Sequence, residues 1–156
     1  MNKLTTLVRE VAVLAAVLIA VSSCNPLRGP VVDTFDDGQI RGTIEISRGR
    51  YRVGEVVEVW FTIENISNEV VVLQREDGPV QDLTLSTAHV ERSWIEETGQ
   101  IEAFRSLRLE PGEEVTIEWN LSDLEEGDYG FGGMWWSRNR RETFVVVGAA
   151  YGRTLK

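Results

Sequence analysis

In residues 56–66, VVEVWFTIENI, the side chains of Val57, Val59, Phe61 and Ile63 alternate with those of Glu58, Thr62 and Glu64. Successive strand residues point to opposite faces, so this spacing predicts a strand buried on one side. Trp60 falls on the polar side. Val115, Ile117, Trp119 and Leu121 repeat the alternation against Thr116, Glu118 and Asn120, and Leu83/Leu85 and Leu107/Leu109 give shorter versions. After the first two dozen residues no stretch carries a helical period. Turn-forming clusters break the runs at Arg48-Gly49-Arg50, Ser67-Asn68, Asp77-Gly78-Pro79, Thr98-Gly99 and Glu125-Glu126-Gly127. Pro111-Gly112 supplies the restricted φ and the positive φ that a type II turn requires. Seven to nine short strands are expected. Their apolar faces are best covered by packing two antiparallel sheets, so the predicted class is all-β, an immunoglobulin-like antiparallel β-sandwich, with an eight-stranded barrel as the competing closure. Tyr129 follows a tight turn at the start of a strand, the place of a tyrosine corner.

The N-terminus reads differently. Val11–Val21 is an unbroken apolar run preceded by Lys3 and Arg9. It falls short of the roughly 20 residues that span a bilayer and has the form of an export signal. Val21-Ser22-Ser23-Cys24 resembles a bacterial lipobox, which makes Cys24 the expected lipid attachment point. Two or three acyl chains hold a protein on a membrane, whereas one does so only marginally. A signal cleaved without lipidation and an uncleaved N-terminal anchor are the alternatives. Residues 25–39, rich in Pro, Gly and Asp, show no sustained period and read as a tether. Asp33, Asp36 and Asp37 lack the spacing of a calcium loop. The expected organisation is a signal peptide over 1–23, a lipidated tether over 24–39, the sandwich over 40–150 and a tail over 151–156.

The charge balance is acidic, with 16 Lys+Arg against 25 Asp+Glu and a formal net charge of −9. Nucleic acid is excluded as a partner, because phosphate-backbone binding needs a basic surface. Cys24 is the only cysteine, so no disulfide forms within the chain, and His89 is the only histidine. Zinc-type spacings, a nucleophile elbow and a phosphate-binding loop are missing from the sequence. The acidic pairs Glu96-Glu97, Glu113-Glu114 and Glu125-Glu126 flank turns, where solvated charge is ordinary. No cofactor, metal or catalytic residue is expected. A small hydrolase using His89 ranks last.

The segment GFGGMWWSRNRR, residues 130–141, is the strongest candidate for contact with a partner. Alternation places Tyr129, Phe131, Gly133 and Trp135 on one face and Met134 and Trp136 on the other, so one tryptophan is core and the other needs a reason. Arg138, Arg140 and Arg141 follow directly. Exposed Trp beside Arg is the composition of a protein–protein hot spot. Trp60, Trp136, Arg138, Arg140 and Arg141 are therefore the candidate partner-binding residues. The competing reading buries both tryptophans and pairs the arginines with nearby Glu.

From about Tyr51 to Val147 the chain resembles the BsuPI-type intracellular proteinase inhibitor domain. The carriers are Phe61 and Asn65 in FTIENISNEVVVL, Asp82-Leu83, Trp94, Phe104, LEPGEE with Leu109, Pro111, Gly112 and Glu113, then Trp119, and EGDYGF with Gly127 and Tyr129. Around His89 the sequence departs from the family, with Thr87-Ala88-His89 where a turn glycine is expected. The resemblance implies a small immunoglobulin-like fold and inhibition of a serine protease, which the export signal would redirect to an extracytoplasmic one. The leading expectation is an exported lipoprotein of the cell envelope, facing the extracytoplasmic side and held to the membrane through Cys24. Its sandwich would bind or assemble with a protein without catalysing a reaction. Proteinase inhibition comes second and carbohydrate binding third.

Overall fold

The structure, a computed structural model, describes residues 29–100, 105–137 and 143–156. Cys24, Phe104, Arg138, Arg140 and Arg141 lie outside these residues.

The alternating runs pair into two sheets. The first contains β1 (Val31–Asp36), β2 (Ile40–Ile46), β4 (Val57–Asn65) and β9 (Glu114–Leu121), in the order β1-β2-β4-β9 and antiparallel throughout. The second contains β3 (Arg50–Arg52), β6 (Gln81–Thr87), β7 (Glu91–Ser93), β10 (Gly127–Ser137) and β11 (Thr143–Leu155), in the order β3-β11-β10-β6-β7. Within it only the short pairing of β3 with β11 is parallel. A separate ribbon joins β5 (Val71–Gln74) to β8 (Ser106–Leu109). The fold is the expected immunoglobulin-like β-sandwich, with eleven strands among the described residues instead of the seven to nine expected, since short strands such as β3 and β7 and the edge strand β1 carry no apolar period.

The core lies between the sheets, as alternation requires. Ile44, Ile46, Val59, Phe61, Ile63 and Ile117 face Leu83, Leu85, Tyr129, Phe131 and Trp135, all buried. Close packing leaves no room for a side chain at two inward glycines. A Cβ on Gly133 would lie 2.4 Å from the Phe61 ring, and one on Gly152 would lie 2.3 Å from the Tyr129 hydroxyl.

Several residues that carry the family resemblance turn out to be ties between elements. The Asn65 amide donates to the carbonyls of Glu69 and Leu109 at 2.7 and 2.9 Å, and its side-chain oxygen accepts from the Ser67 amide and hydroxyl. It thereby joins the end of β4 to β8. Asp82 accepts from the amides of Leu83 and Ile95 and from the Ser93 hydroxyl. Trp94 donates its indole N–H to the Glu118 carbonyl at 2.9 Å, crossing from one sheet to the other. Gly112 has φ of 77° and Glu113 donates to the Glu110 carbonyl at 3.0 Å, as a type II turn at Pro111-Gly112 requires.

Four expectations need correction. The tether does not extend to residue 39, because Val31–Asp36 is the edge strand β1, paired with β2 over its whole length. Backbone pairing holds it, while only Val31 and the ring of Phe35 touch the core, so it leaves no sustained apolar period. Residues 151–156 are not a free tail: β11 continues to Leu155, and Thr154 is buried, accepting from the Gly127 amide and donating to the Glu125 carbonyl. Small and polar inward residues, Gly152 and Thr154, hide that strand from a hydrophobic reading. A one-turn helix, α1 (Trp94–Thr98), capped by the Ser93 hydroxyl and closed on left-handed Gly99, is too short to show a period. Finally, Tyr129 makes no corner. Its buried hydroxyl has no hydrogen-bond partner among the described residues. Tyr51 does that work instead, its hydroxyl lying 2.5 Å from the Ser47 hydroxyl and accepting the Arg48 amide at 3.1 Å.

Candidate partner-binding surfaces

Both sheets run between the same two ends of the sandwich. At the near end, Val31 pairs with Ile46, and the chain turns through Arg48-Gly49 into β3. At the far end lie Asn65, the Pro111-Gly112 turn, the start of β6 and the last residues of β10. The nine residues of β4 separate the ends by roughly 27 Å at about 3.3 Å per residue.

The far end settles which tryptophan is core. Trp135 is fully buried, with its ring 6.1 Å from Phe35 and its indole N–H directed to Asp37 at 3.4 Å. Trp136 faces outward from the five-stranded sheet and is half-buried against the core rim. The Arg75 guanidinium covers it at 4.7 Å from the ring centroid, within cation–π range. Asp77 holds that guanidinium at 2.8 Å, and the same bond and charge keep its carboxyl below the usual carboxylate range. The Trp136 amide donates to the Val80 carbonyl at 2.7 Å, which fixes the strand where the sequence runs on toward Arg138. Arg75 was not among the candidates, since it stands 61 positions from Trp136 in a connection with no pattern of its own.

Trp60 occupies a different surface. It lies half-buried on the outer face of the four-stranded sheet, in register with Glu45 on β2 and Glu118 on β9. Around it Arg41 pairs with Glu64 at 3.3 Å, and the hydroxyls of Thr62 and Thr116 meet at 2.8 Å. The two candidate tryptophans thus face away from each other. They do not share one patch, because the two strands belong to opposite sheets. A two-ring platform of the kind that stacks on sugar is not made by this pair.

The remaining titratable groups near the ends are mostly engaged in ties. Arg92 forks between Glu97 and Asp123, the latter at 3.0 Å, and lies over the Trp119 ring at 5.6 Å. The hydrogen bond to Glu97 is the main reason its pKa is raised. His89 is exposed in the turn between β6 and β7, where its amide takes the Thr87 hydroxyl as acceptor at 3.3 Å. It lines an open concavity of about 510 Å³ together with Arg92, Asp123 and Tyr129. Among the described residues, no three His, Cys, Asp or Glu side chains converge to hold a metal ion, and no helix is long and apolar enough to cross a membrane.

A second concavity at the near end, about 650 Å³, was not anticipated. Arg48, Arg50, Tyr51, Arg52, Glu55, Leu155 and Lys156 line it. The tripeptide Arg50-Tyr51-Arg52 was its visible sign, an alternation of charge about one inward aromatic. The contribution of Lys156 could not be read, since it depends on β11 lying beside β3.

Fold and surface together define a class, a β-sandwich scaffold whose signature residues hold elements together while its distinctive side chains sit on the ends and outer faces. Residues 44–140 match the family described as BsuPI, intracellular proteinase inhibitor, and the chain belongs to that family. A search of curated proteins finds no match. Among solved structures, the chain is similar to a β-glucosidase from Erythrobacter marinus (12% identity, TM-score 0.44) and to one from Listeria innocua in complex with glucose (16%, 0.43). About four-fifths of the chain aligns in each case, 81% and 80%, but it covers only 16% of either enzyme. The CARDB domain of a Pyrococcus furiosus protein is similar at 14% identity and TM-score 0.43, covering 82% of this chain and 97% of that domain.

Proposed function

We propose that this protein is a non-catalytic recognition module, lipidated at Cys24 and displayed from the extracytoplasmic face of a membrane, which captures a protein partner through its far end. The observation that carries the reading is Trp136, a large aromatic kept on the outer face under the Arg75 guanidinium at 4.7 Å. Arg138, Arg140 and Arg141 follow it in sequence. Aromatic and Arg side chains dominate interface energetics, the rings by offering wide rigid contact area at low entropic cost and Arg by a planar guanidinium that both stacks and hydrogen-bonds. Anchoring is supported by the apolar run, the lipobox-like Val21-Ser22-Ser23-Cys24 and the position of Val31 at the near end, which turns Trp136 away from the membrane.

In-cell crosslinking followed by capture of the neighbours tests the recognition. Trp136→Ala combined with Arg75→Ala is expected to abolish a crosslinked species that the parent chain yields reproducibly. Retention of every species would sink the reading. Anchoring is checked by fractionation: Cys24→Ser is expected to release the chain from membranes.

Family membership favours a more specific version in which the partner is a serine protease. Among the described residues every core residue lies between Ile40 and Thr154 and the first strand starts at Val31, so a chain of residues 29–156 contains every described element of the sandwich. Titrated against subtilisin-like proteases, this fragment should remove activity stoichiometrically. Full activity at a large molar excess across the panel would leave the partner outside that class.

A further inference from the structure

We infer that the near-end corner formed by Arg48, Arg50, Arg52 and Lys156 docks on the anionic headgroups of the membrane to which Cys24 ties the chain; this rests on the anchoring reading above.

The corner begins with an edge strand. Tyr51 points inward in β3, so Arg50 and Arg52 both point out, and the parallel register sets Arg153 beside Arg50 and Leu155 beside Arg52. One carboxylate, Glu55, lines the concavity against four cations. Its contact with Arg48 is long, 3.9 Å, and it also accepts the Arg52 amide at 3.0 Å. Lys156 reaches Glu126 at 3.4 Å and Arg153 reaches Asp128 at 3.6 Å. Among the described residues, the guanidinium groups of Arg50 and Arg52 make no ion pair and no hydrogen bond. In a chain of net charge −9, two adjacent unpaired arginines are a local reversal of sign. Their mutual repulsion is relieved by an anion from outside.

Two further observations select a lipid surface as that anion. Val53, Val56 and Leu155 flank the arginines and are 50%, 48% and 36% exposed. Apolar side chains set among cations match the boundary between acyl chains and headgroups, which a soluble phosphate would not engage. The second is position. Val31 pairs with Ile46, two residues before Arg48, and β1 packs against β11, the neighbour of β3. Val31 lies seven positions after Cys24, a reach of at most about 25 Å. The tether therefore meets the sandwich at the same end and on the same side as the basic corner. Of the acidic residues at this end, Glu126 and Asp128 are offset by Lys156 and Arg153, while docking by the corner tilts Asp123 and Glu125, toward β9 and β10, away from an anionic surface.

The test separates docking from lipidation. Residues 29–156 carrying Gly29→Cys are coupled through the new thiol to maleimide lipid in vesicles of phosphatidylcholine, with or without phosphatidylglycerol. This attachment does not involve Cys24, whose modification is read separately by mass spectrometry of the full chain from cells. Phosphatidylglycerol should slow amide hydrogen exchange at residues 48–56 by roughly fivefold or more, as expected where each basic residue near an anionic surface strengthens its contact by about that factor. The Pro111-Gly112 turn should be unaffected. Arg50→Gln with Arg52→Gln should remove the protection at unchanged melting temperature. Equal exchange on both vesicles, or protection that survives the double variant, overturns the proposal. So does the same protection produced by inorganic phosphate on phosphatidylcholine vesicles, which would assign the corner to a soluble anion.

Discussion

The two ends of the sandwich are built on opposite terms. At the far end Asn65 makes hydrogen bonds to Glu69, Leu109 and Ser67 and the half-exposed Trp136 is covered by Arg75 and Asp77, with the buried Gln81 side-chain oxygen the one exception without a partner among the described residues. At the near end the Tyr129 hydroxyl is buried without a partner, Arg50 and Arg52 stand unpaired among the described residues, and Val53 and Val56 are exposed. Satisfied networks specify one arrangement and make an end rigid, whereas uncompensated charge and exposed apolar surface are relieved by something outside the chain. The difference assigns presentation of a fixed shape to the far end and adjustment to a surface to the near end.

Breaking the far-end lock should have the largest effect. Asn65→Ala strands the buried Leu109 carbonyl and removes the ties to Glu69 and Ser67, and is expected to cost about 3 kcal/mol by chemical denaturation, since an abandoned buried group costs about 1–3 kcal/mol. Next comes Gly152→Ala at the near end, where the added methyl meets the Tyr129 ring; overpacking of this kind costs about 1–3 kcal/mol. Arg75→Ala, by uncovering Trp136, should lower stability by only about 0.5–1 kcal/mol. If it costs as much as Asn65→Ala, the Arg75 contact is part of the lock and the recognition reading weakens.

Tyr129 sharpens the comparison through pH. Burial is the main cause that raises its pKa, with the neighbouring Tyr51 adding to it and Arg48 opposing. A group whose folded pKa is raised contributes stability that is complete below its unfolded value, about 10 for tyrosine, and is lost as pH climbs toward the folded value. Melting temperature should therefore fall above about pH 10. Tyr129→Phe should flatten that decline and, by removing an unpartnered hydroxyl, leave neutral-pH stability unchanged or up to about 1 kcal/mol higher. A loss on this substitution would mean that the hydroxyl has a partner after all.

Legibility followed the strength of the local signal. Strand β4 and the opposite edge strand β9 could be read directly, because each turns apolar side chains to one face with a period of two. The edge strand β1 could not, being held by backbone hydrogen bonds that any sequence can make. Alternation put Trp135 and Trp136 on opposite faces, but which of them is core, and whether the outward ring is bare or covered by Arg75 from a distant connection, needed the structure. The tyrosine hydroxyl that ties a turn was expected at Tyr129 and is found at Tyr51. Both follow turns, and only the three-dimensional neighbourhood shows which hydroxyl meets a donor.

By itself, the sequence determined the sandwich class, the family and the inward side chains of the clearly alternating strands such as β4 and β9, because alternation and turn chemistry act within a few residues. The tertiary structure alone decided that Trp60 and Trp136 look in opposite directions and that Arg48, Arg50, Arg52 and Lys156 share a corner. These depend on which strands become neighbours, and strand order is set by burying all the apolar faces at once, a condition no single segment carries.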